Sequence, residues 1–318
     1  MLEKLKPAAR SILKAENIVI CSHVNPDGDS IGSLLSLGLG LKSISKKVCM
    51  ISEDGVPKKY RKLYGANRIK KTTTQKYDLA IAVDCGTKEI LGSNFGKVFK
   101  PAKKILEIDH HEFRVPFGNV SLIDTSAAAV GELIFLLLRG LKVNITKHIA
   151  ESILTSLIVE TDSFRLPKVR AFTFEVCEYL LDRDIDYYKL SDMIFWSKNK
   201  KAAMLSGISM SRCKFLSNGR IVWSIIHKED FSKIKGQDED VDTVADEMRS
   251  IQGVKITVFF REKNDKFFRV SLRSKGKINV AKLAESYGGG GHFDVAGCKI
   301  PNSQEAISEF LVRTQKLL

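Results

Sequence analysis

Short, wholly apolar runs alternate with longer stretches of helical period through the first half of the chain. Ile18-Val19-Ile20-Cys21, Lys47–Ser52, Tyr77–Val83 and Lys104–Ile108 each read as strands covered on both faces, and Val120–Ile123 adds a shorter one. Ser30–Leu41 reads as a helix between the first two strands. Ala127–Leu138 and Ile149–Val159 are apolar enough to be buried helices, and Ala171–Leu181 is amphipathic. Strands separated by helical stretches predict βαβ units around a mostly parallel sheet. The composition then changes at Trp196–Lys201, where Ser, Lys and Asn cluster, which suggests a linker or connecting helix over 187–207. Beyond it, Ile221–His227, Val254–Arg261, Phe267–Arg273 and Val295–Ile300 read as strands, and Val241–Arg249, Asn279–Ser286 and Ser303–Leu317 as helices. The pattern predicts a larger α/β domain over 1–186, a linker over 187–207 and a smaller α+β domain over 208–318.

Length agrees with that division, since 318 residues suffice for two domains with separate cores. Lys and Arg outnumber Asp and Glu by 51 to 37, a net charge of +14 that favours a polyanionic partner such as nucleic acid or nucleotides. The lysines are spread along the chain, so a generally basic surface explains the same number. Six scattered cysteines form no CxxC pair, which argues against a thiolate zinc site. No apolar run approaches membrane-spanning length, and Met1–Lys14 carries charges throughout. The expectation is a cytoplasmic protein with reduced thiols and no membrane partner.

Candidate chemistry sits at the strand ends. His23-Val24-Asn25-Pro26-Asp27-Gly28-Asp29 follows the first strand, Asp84 follows the third, and Asp109-His110-His111 follows the fourth. Glu160-Thr161-Asp162-Ser163 closes the helix Ile149–Val159. Open α/β sheets place ligands at the carboxyl ends of their strands. A single acid there more often caps a helix or forms a turn, but four such places in one domain are harder to dismiss. Mixed carboxylate and imidazole donors suit Mn²⁺, Fe²⁺ or Zn²⁺. Six or seven donors exceed one tetrahedral site and fit two ions sharing a carboxylate, an arrangement suited to phosphoester hydrolysis. Neither a GxxxxGK[ST] loop nor a GxGxxG fingerprint occurs.

The second domain has its own signature. Arg273-Ser274 ends a strand, and Gly288-Gly289-Gly290-Gly291-His292 follows a helix. Arg273 could fork onto a phosphate, and a glycine run lets backbone amides approach one closely. A surface arginine and a flexible joint are the bland readings of the same residues.

Together these motifs resemble the DHH phosphoesterase family, named for the sequence found here as Asp109-His110-His111. The likeness spans nearly the whole chain. The 23–29 segment is similar to the family's first motif and Asp84 to its second, Asp162 stands where the fourth metal-binding motif falls, and Arg273-Ser274 with 288–292 resemble the DHH-associated substrate domain. The resemblance implies an N-terminal, mostly parallel-sheet DHH domain joined by a linker to a smaller α+β DHH-associated domain. It also implies two Mn²⁺ ions, with Mg²⁺ or Co²⁺ as substitutes. His23, Asp27 and Asp84 would hold one, and Asp29, Asp84, His110 and Asp162 the other. Asp109 would orient His110, and His111 would meet the scissile phosphate. Arg273, Ser274, Gly288, Gly289, Gly290, Gly291 and His292 would grip the far phosphate or base.

Within the family, length and architecture are most similar to the nanoRNase type, which implies a homodimer acting on short RNA oligonucleotides and on 3′-phosphoadenosine-5′-phosphate (pAp). Hydrolysis of a cyclic dinucleotide or its linear product pApA stays open. So does a RecJ-like single-strand exonuclease, although that type is longer. A nucleic-acid-binding module with a structural metal site is compatible with the charge, but a purely structural site gains nothing from two adjacent ions and a spare His111.

Overall fold

A computed structural model describes residues 2–196, 198–264, 266–291 and 293–318. The chain divides into two compact units, 1–197 and 198–318. The first runs α1 (Leu2–Lys14), β1 (Asn17–Cys21), α2 (Gly28–Ser43), β2 (Lys47–Ile51), β3 (Leu79–Val83), β4 (Ile105–Asp109), β5 (Val120–Ile123), α3 (Val130–Gly140), α4 (Lys147–Glu160), α5 (Ala171–Leu181) and α6 (Tyr187–Phe195). Its five strands pair in the order β2-β1-β3-β4-β5, every neighbouring pair parallel.

The apolar runs become strands because both faces of this sheet are covered. Ile18, Ile20, Leu79, Ile81 and Val83 enter the helical side of the core, and Val19, Cys21, Ala80 and Ala82 enter a second core with Leu91, Val98 and Phe99. The period of two therefore sorts each run between two apolar surfaces, with no solvent face to demand polar residues. Strand order reverses beside β1: the chain steps to β2 on one side and returns to β3 on the other. The carboxyl ends of β1 and β3 thus flank the topological switch point, where sheets of this class leave a crevice. The charged opening stretch, for which sequence gave only its polarity, is helix α1, and its Ala8 and Ile12 are fully buried.

The second unit contains α7 (Lys200–Ser211), β6 (Lys214–Leu216), β7 (Ile221–Ile226), α8 (Lys228–Ile234), α9 (Val244–Arg249), β8 (Ile256–Asn264), β9 (Phe267–Ser274), α10 (Ala281–Glu285), β10 (Gly290–Gly291), β11 (Val295–Pro301) and α11 (Gln304–Gln315). Its six strands run in the order β10-β11-β9-β8-β7-β6. Only β7 and β8 pair in parallel among them. Ile256, Val258 and Phe260 of β8 share a core with α10 and α11, while Phe259 turns to a core with α7 and α9. The mixed sheet is thus sandwiched by helices. Where sequence suggests a linker over 187–207, the chain is helical on both sides of residue 197. Leu190 and Ile194 of α6 join the first core, and Leu205 of α7 joins the second. The helix expected over Val241–Arg249 is split into a 3₁₀ turn (Asp238–Val241) and α9.

Candidate metal centre

His23 leaves β1 with its Nδ1 2.7 Å from the Val24 carbonyl oxygen. A carbonyl only accepts, so Nδ1 carries a proton and Nε2 is the nitrogen turned to the centre. Nε2 faces Asp84 Oδ2 at 3.7 Å and Asp27 Oδ1 at 3.9 Å. Asp27 caps α2, its Oδ1 accepting the Ser30 amide at 2.9 Å. Gly28 is required beside it, because a Cβ there would fall 2.4 Å from Val159 Cγ2. The absence of a side chain lets the first turn of α2 press against the last turn of α4.

Asp29, in that first turn, is fully buried. Its Oδ1 accepts Ser33 Oγ at 3.1 Å and Ser156 Oγ at 2.6 Å, and its Oδ2 accepts the Val130 amide at 2.9 Å. Helices α2, α3 and α4 therefore all fix one carboxylate. Asp84 follows β3 in the left-handed region (φ 59°), with its amide donating to the Ile108 carbonyl at 2.9 Å. Its buried Oδ1 has no hydrogen-bond partner. Around that oxygen lie His110 Nε2 at 3.8 Å and His111 Nδ1 at 3.7 Å.

His110 repeats the arrangement of His23. Its Nδ1 lies 3.1 Å from the Ala127 carbonyl oxygen, which turns Nε2 toward Glu160 Oε1 at 3.4 Å and Asp29 Oδ2 at 3.7 Å. Both imidazoles thus aim Nε2 at carboxylates, and both would present that nitrogen's lone pair to a cation bound among them. Three donor trios result: His23, Asp27 and Asp84; Asp84, His110 and His111; and Asp29, His110 and Glu160. Within each, the donor atoms lie within 4.8 Å of one another. Asp84 and His110 each serve two trios, so the residues present fit a pair of divalent cations.

The electrostatics agree. Burial, then the charges of Asp84 and Asp27, push the Asp29 carboxyl well above the usual carboxylate range. Burial, with Asp29, Asp84 and Asp27 around it, does the same to Glu160. Asp84 moves the other way: burial would raise it, but the His23 contact and the three imidazoles hold it down. Burial pulls His23 down, yet Asp84 and Asp27 outweigh that and raise it to about 9. Burial lowers His110. The pocket holds more negative charge than its own imidazoles balance, which is the condition a bound cation removes.

Two residues differ from the roles the resemblance implied. Asp162 stands outside all three trios among the described residues. It sits at φ 48°, about two-fifths exposed, with Oδ1 accepting Arg165 Nη2 at 2.7 Å. Glu160, two residues earlier, enters the centre instead. The helix ends between them, so Glu160 keeps the inward face of α4 while Asp162 lies on the outgoing turn. A sequence signal existed: Ser156 and Glu160 are four apart on α4, hence on one face. Asp109 also differs. Its Oδ1 accepts the His110 amide at 2.9 Å and lies 2.6 Å from His111 Nδ1, so it orients His111 and not the His110 ring. The Asp109 contact overcomes burial and raises His111 to about 9.

The second unit contains the other expected group. Arg273 forks onto Asp246 (Nε–Oδ1 2.9 Å, Nη2–Oδ2 3.2 Å), so its guanidinium is engaged within the unit. Ser274 is buried, its Oγ donating to the Ile278 carbonyl at 2.6 Å. The glycine run has a structural cause. The amides of Gly288 and Gly289 donate to the Glu285 and Ala284 carbonyls (2.9 Å each), ending α10 with Gly288 at φ 68°. A Cβ on Gly289 would meet the Gly297 carbonyl oxygen at 2.2 Å, and Gly291 adopts φ 145°. Gly290 and Gly291 pair with Gly297 and Ala296 of β11. The two leading amides are therefore committed to the helix end and are not available to a phosphate. A Cβ on Gly290 would meet nothing within 4 Å among the described residues. His292 lies outside the described residues.

Comparison with known proteins follows the same division. Residues 17–158 match the DHH family, N-terminal domain, and residues 220–318 match the DHHA1 domain. The "Bifunctional oligoribonuclease and PAP phosphatase NrnA" of Thermus thermophilus is 27% identical over 94% of this chain and 89% of its own. The protein of the same name from Bacillus subtilis is 26% identical over 93% of both. An exopolyphosphatase-related protein from Bacteroides fragilis superposes with a TM-score of 0.92 at 23% identity, covering 98% of this chain and 95% of that one, which establishes a shared fold.

Proposed function

The chain belongs to the DHH family, with DHH and DHHA1 domains, and from that premise we propose that it is a divalent-cation-dependent phosphoesterase acting on short oligoribonucleotides and on pAp. One observation carries the reading: three imidazole–carboxylate trios share Asp84 and His110 where the switch point opens. The two curated relatives supply the substrate class.

Mixed oxygen and imidazole donors accommodate Mn²⁺. His23, Asp27 and Asp84 would hold one ion, and Asp29, His110, Glu160 and the other Asp84 oxygen the second. When bound, such ions neutralise phosphoryl oxygens and lower the pKa of water. The chain's own residues do the rest. Asp84 spans both positions from a constrained left-handed backbone. Asp109 keeps His111 protonated and oriented, so the imidazolium can donate to a phosphoryl oxygen as negative charge develops there. Ser33, Ser156 and the Val130 amide hold Asp29 in place without competing for a cation. Gly290 and His292, rather than Arg273, would be the substrate contacts of the second unit. A cytoplasmic homodimer completes the reading; among the described residues no helix is long and apolar enough to cross a membrane.

The test uses metal-stripped protein given back Mn²⁺, with pAp, a 5′-phosphorylated diribonucleotide and a long oligoribonucleotide as substrates and Asp84→Asn as control. Mn²⁺-dependent loss of the two short substrates, with the long one spared and Asp84→Asn inert, supports the assignment. Preference for the long strand indicates a RecJ-like exonuclease. Full hydrolysis by Asp84→Asn would sink the catalytic role of the centre.

A further inference from the structure

Helix α6 carries two unlike faces. Leu190 and Ile194 are buried in the first core. Tyr188 and Phe195 stand two turns apart on another face, with Tyr187 at the helix start and Trp196 just past its end, and all four rings are exposed, Tyr188 by 68% and Trp196 by 69%. The Tyr188 and Trp196 rings meet edge to face at 5.9 Å. With Arg165 they line a surface pocket of about 490 Å³ whose walls belong wholly to the first unit. Four large rings left outside a core that had room for Leu190 and Ile194 are not explained by folding, since exposing them costs burial that other helices of the unit obtain.

Position relates this pocket to the chemistry. Arg165 and Ser163 line it, and Ser163 is three residues beyond Glu160. At about 3.8 Å per residue, the Ser163 Cα lies within about 11 Å of the Cα of Glu160, whose carboxylate enters the centre. The turn between them is fixed: Ser163 donates to the Ile158 carbonyl at 2.8 Å, Arg165 Nε to the Asp162 carbonyl at 2.7 Å, and Arg165 Nη2 to Asp162 Oδ1 at 2.7 Å. Asp162, which the resemblance had placed on the metal, instead holds a planar guanidinium at the pocket edge.

On the substrate reading above, we propose that this pocket is a nucleobase site, in which a base of the oligoribonucleotide stacks among Trp196, Tyr188 and Arg165 while its phosphate lies at the metal centre. Stacking on the π-faces of rings and guanidinium reads no base edge, so it accepts any base; stacking on aromatic platforms is how sequence-tolerant nucleic-acid binding works. A greasy protein partner would be met by aliphatic side chains as readily as by rings, and the net charge of +14 favours the anion.

Trp196 can report directly, because Trp223 is the only other tryptophan. In a Trp223→Phe background, metal-stripped protein is titrated with 5′-pApA and, separately, with ribose 5-phosphate, following tryptophan emission. Quenching by pApA and none by the base-free sugar is the expected result. In parallel, Trp196→Ala and Tyr188→Ala should raise KM for pApA about tenfold with kcat changed less than about twofold. Unchanged KM in both variants, or no quenching in a protein that still hydrolyses pApA, overturns the site. Unchanged KM with a shift in oligomeric state would make the face an interface between copies, and also overturns it. If pApA quenches but the wild type hydrolyses no nucleotide, the base site stands and the catalytic reading falls.

Discussion

His110 Nε2 lies 3.4 Å from Glu160 Oε1, while Asp162, two residues further on, turns away to Arg165. The carboxylate that completes the second donor set is therefore a glutamate at the last position of a helix. Its longer arm spans the distance from α4 to the end of β4.

Glu160→Gln should weaken Mn²⁺ binding by about ten- to a hundredfold, whereas Asp162→Asn should change it by less than about threefold. Isothermal titration of the metal-stripped variants reads both. The reverse order of losses would return the ligand role to Asp162.

Asp109 touches His111 and the two backbone amides of the motif, and no described contact joins it to the His110 ring. Asp109→Asn should thus lower kcat at least about tenfold while Mn²⁺ affinity stays within about threefold. Steady-state kinetics at saturating Mn²⁺, together with the binding isotherm, separate the effects. An equal fall in metal affinity would place Asp109 under His110 after all.

The glycine run divides by room. Gly289→Ala forces a methyl group against the Gly297 carbonyl oxygen and should lower the unfolding temperature by several degrees, a cost of about 1–3 kcal/mol. Gly290→Ala meets nothing among the described residues and should melt with the wild type. A rise in KM confined to Gly290→Ala would then report substrate contact free of any folding defect. Thermal melts in which Gly290→Ala is the less stable variant would contradict this packing.

Asp230 binds Arg212 through both oxygens (2.5 and 2.9 Å) and accepts the His227 amide at 2.9 Å at the start of α8. The Arg212 contact holds its carboxyl below the ordinary value. A lowered carboxyl stabilises the fold above the unfolded pKa of about 3.9, and that stability is lost as pH falls through the lower folded value. Asp230→Asn should cost about 2 kcal/mol at pH 7. The difference from wild type should close below about pH 4. Denaturant unfolding across that range checks it; a constant difference would mean that ionisation is irrelevant to the contact.

Local pattern determined much of this protein. Apolar runs of four to seven residues, too short for buried helices, read as strands buried on both faces, and the helical stretches between them imply parallel crossovers. That pattern alone places His23, Asp27, Asp84 and His110 at strand ends, and the strand order makes those ends neighbours. Tertiary structure decided which of two nearby acids faces inward, because the place where α4 stops sets the direction of Glu160 and Asp162. It also decided what each group is already bonded to. Asp29 meets Ser156 across 127 residues, Arg273 meets Asp246, and the Gly288 and Gly289 amides are consumed by the end of α10. The period of a strand or helix fixes which face a side chain takes. Whether that side chain remains available for a ligand depends on partners distant in sequence, and no local pattern encodes them.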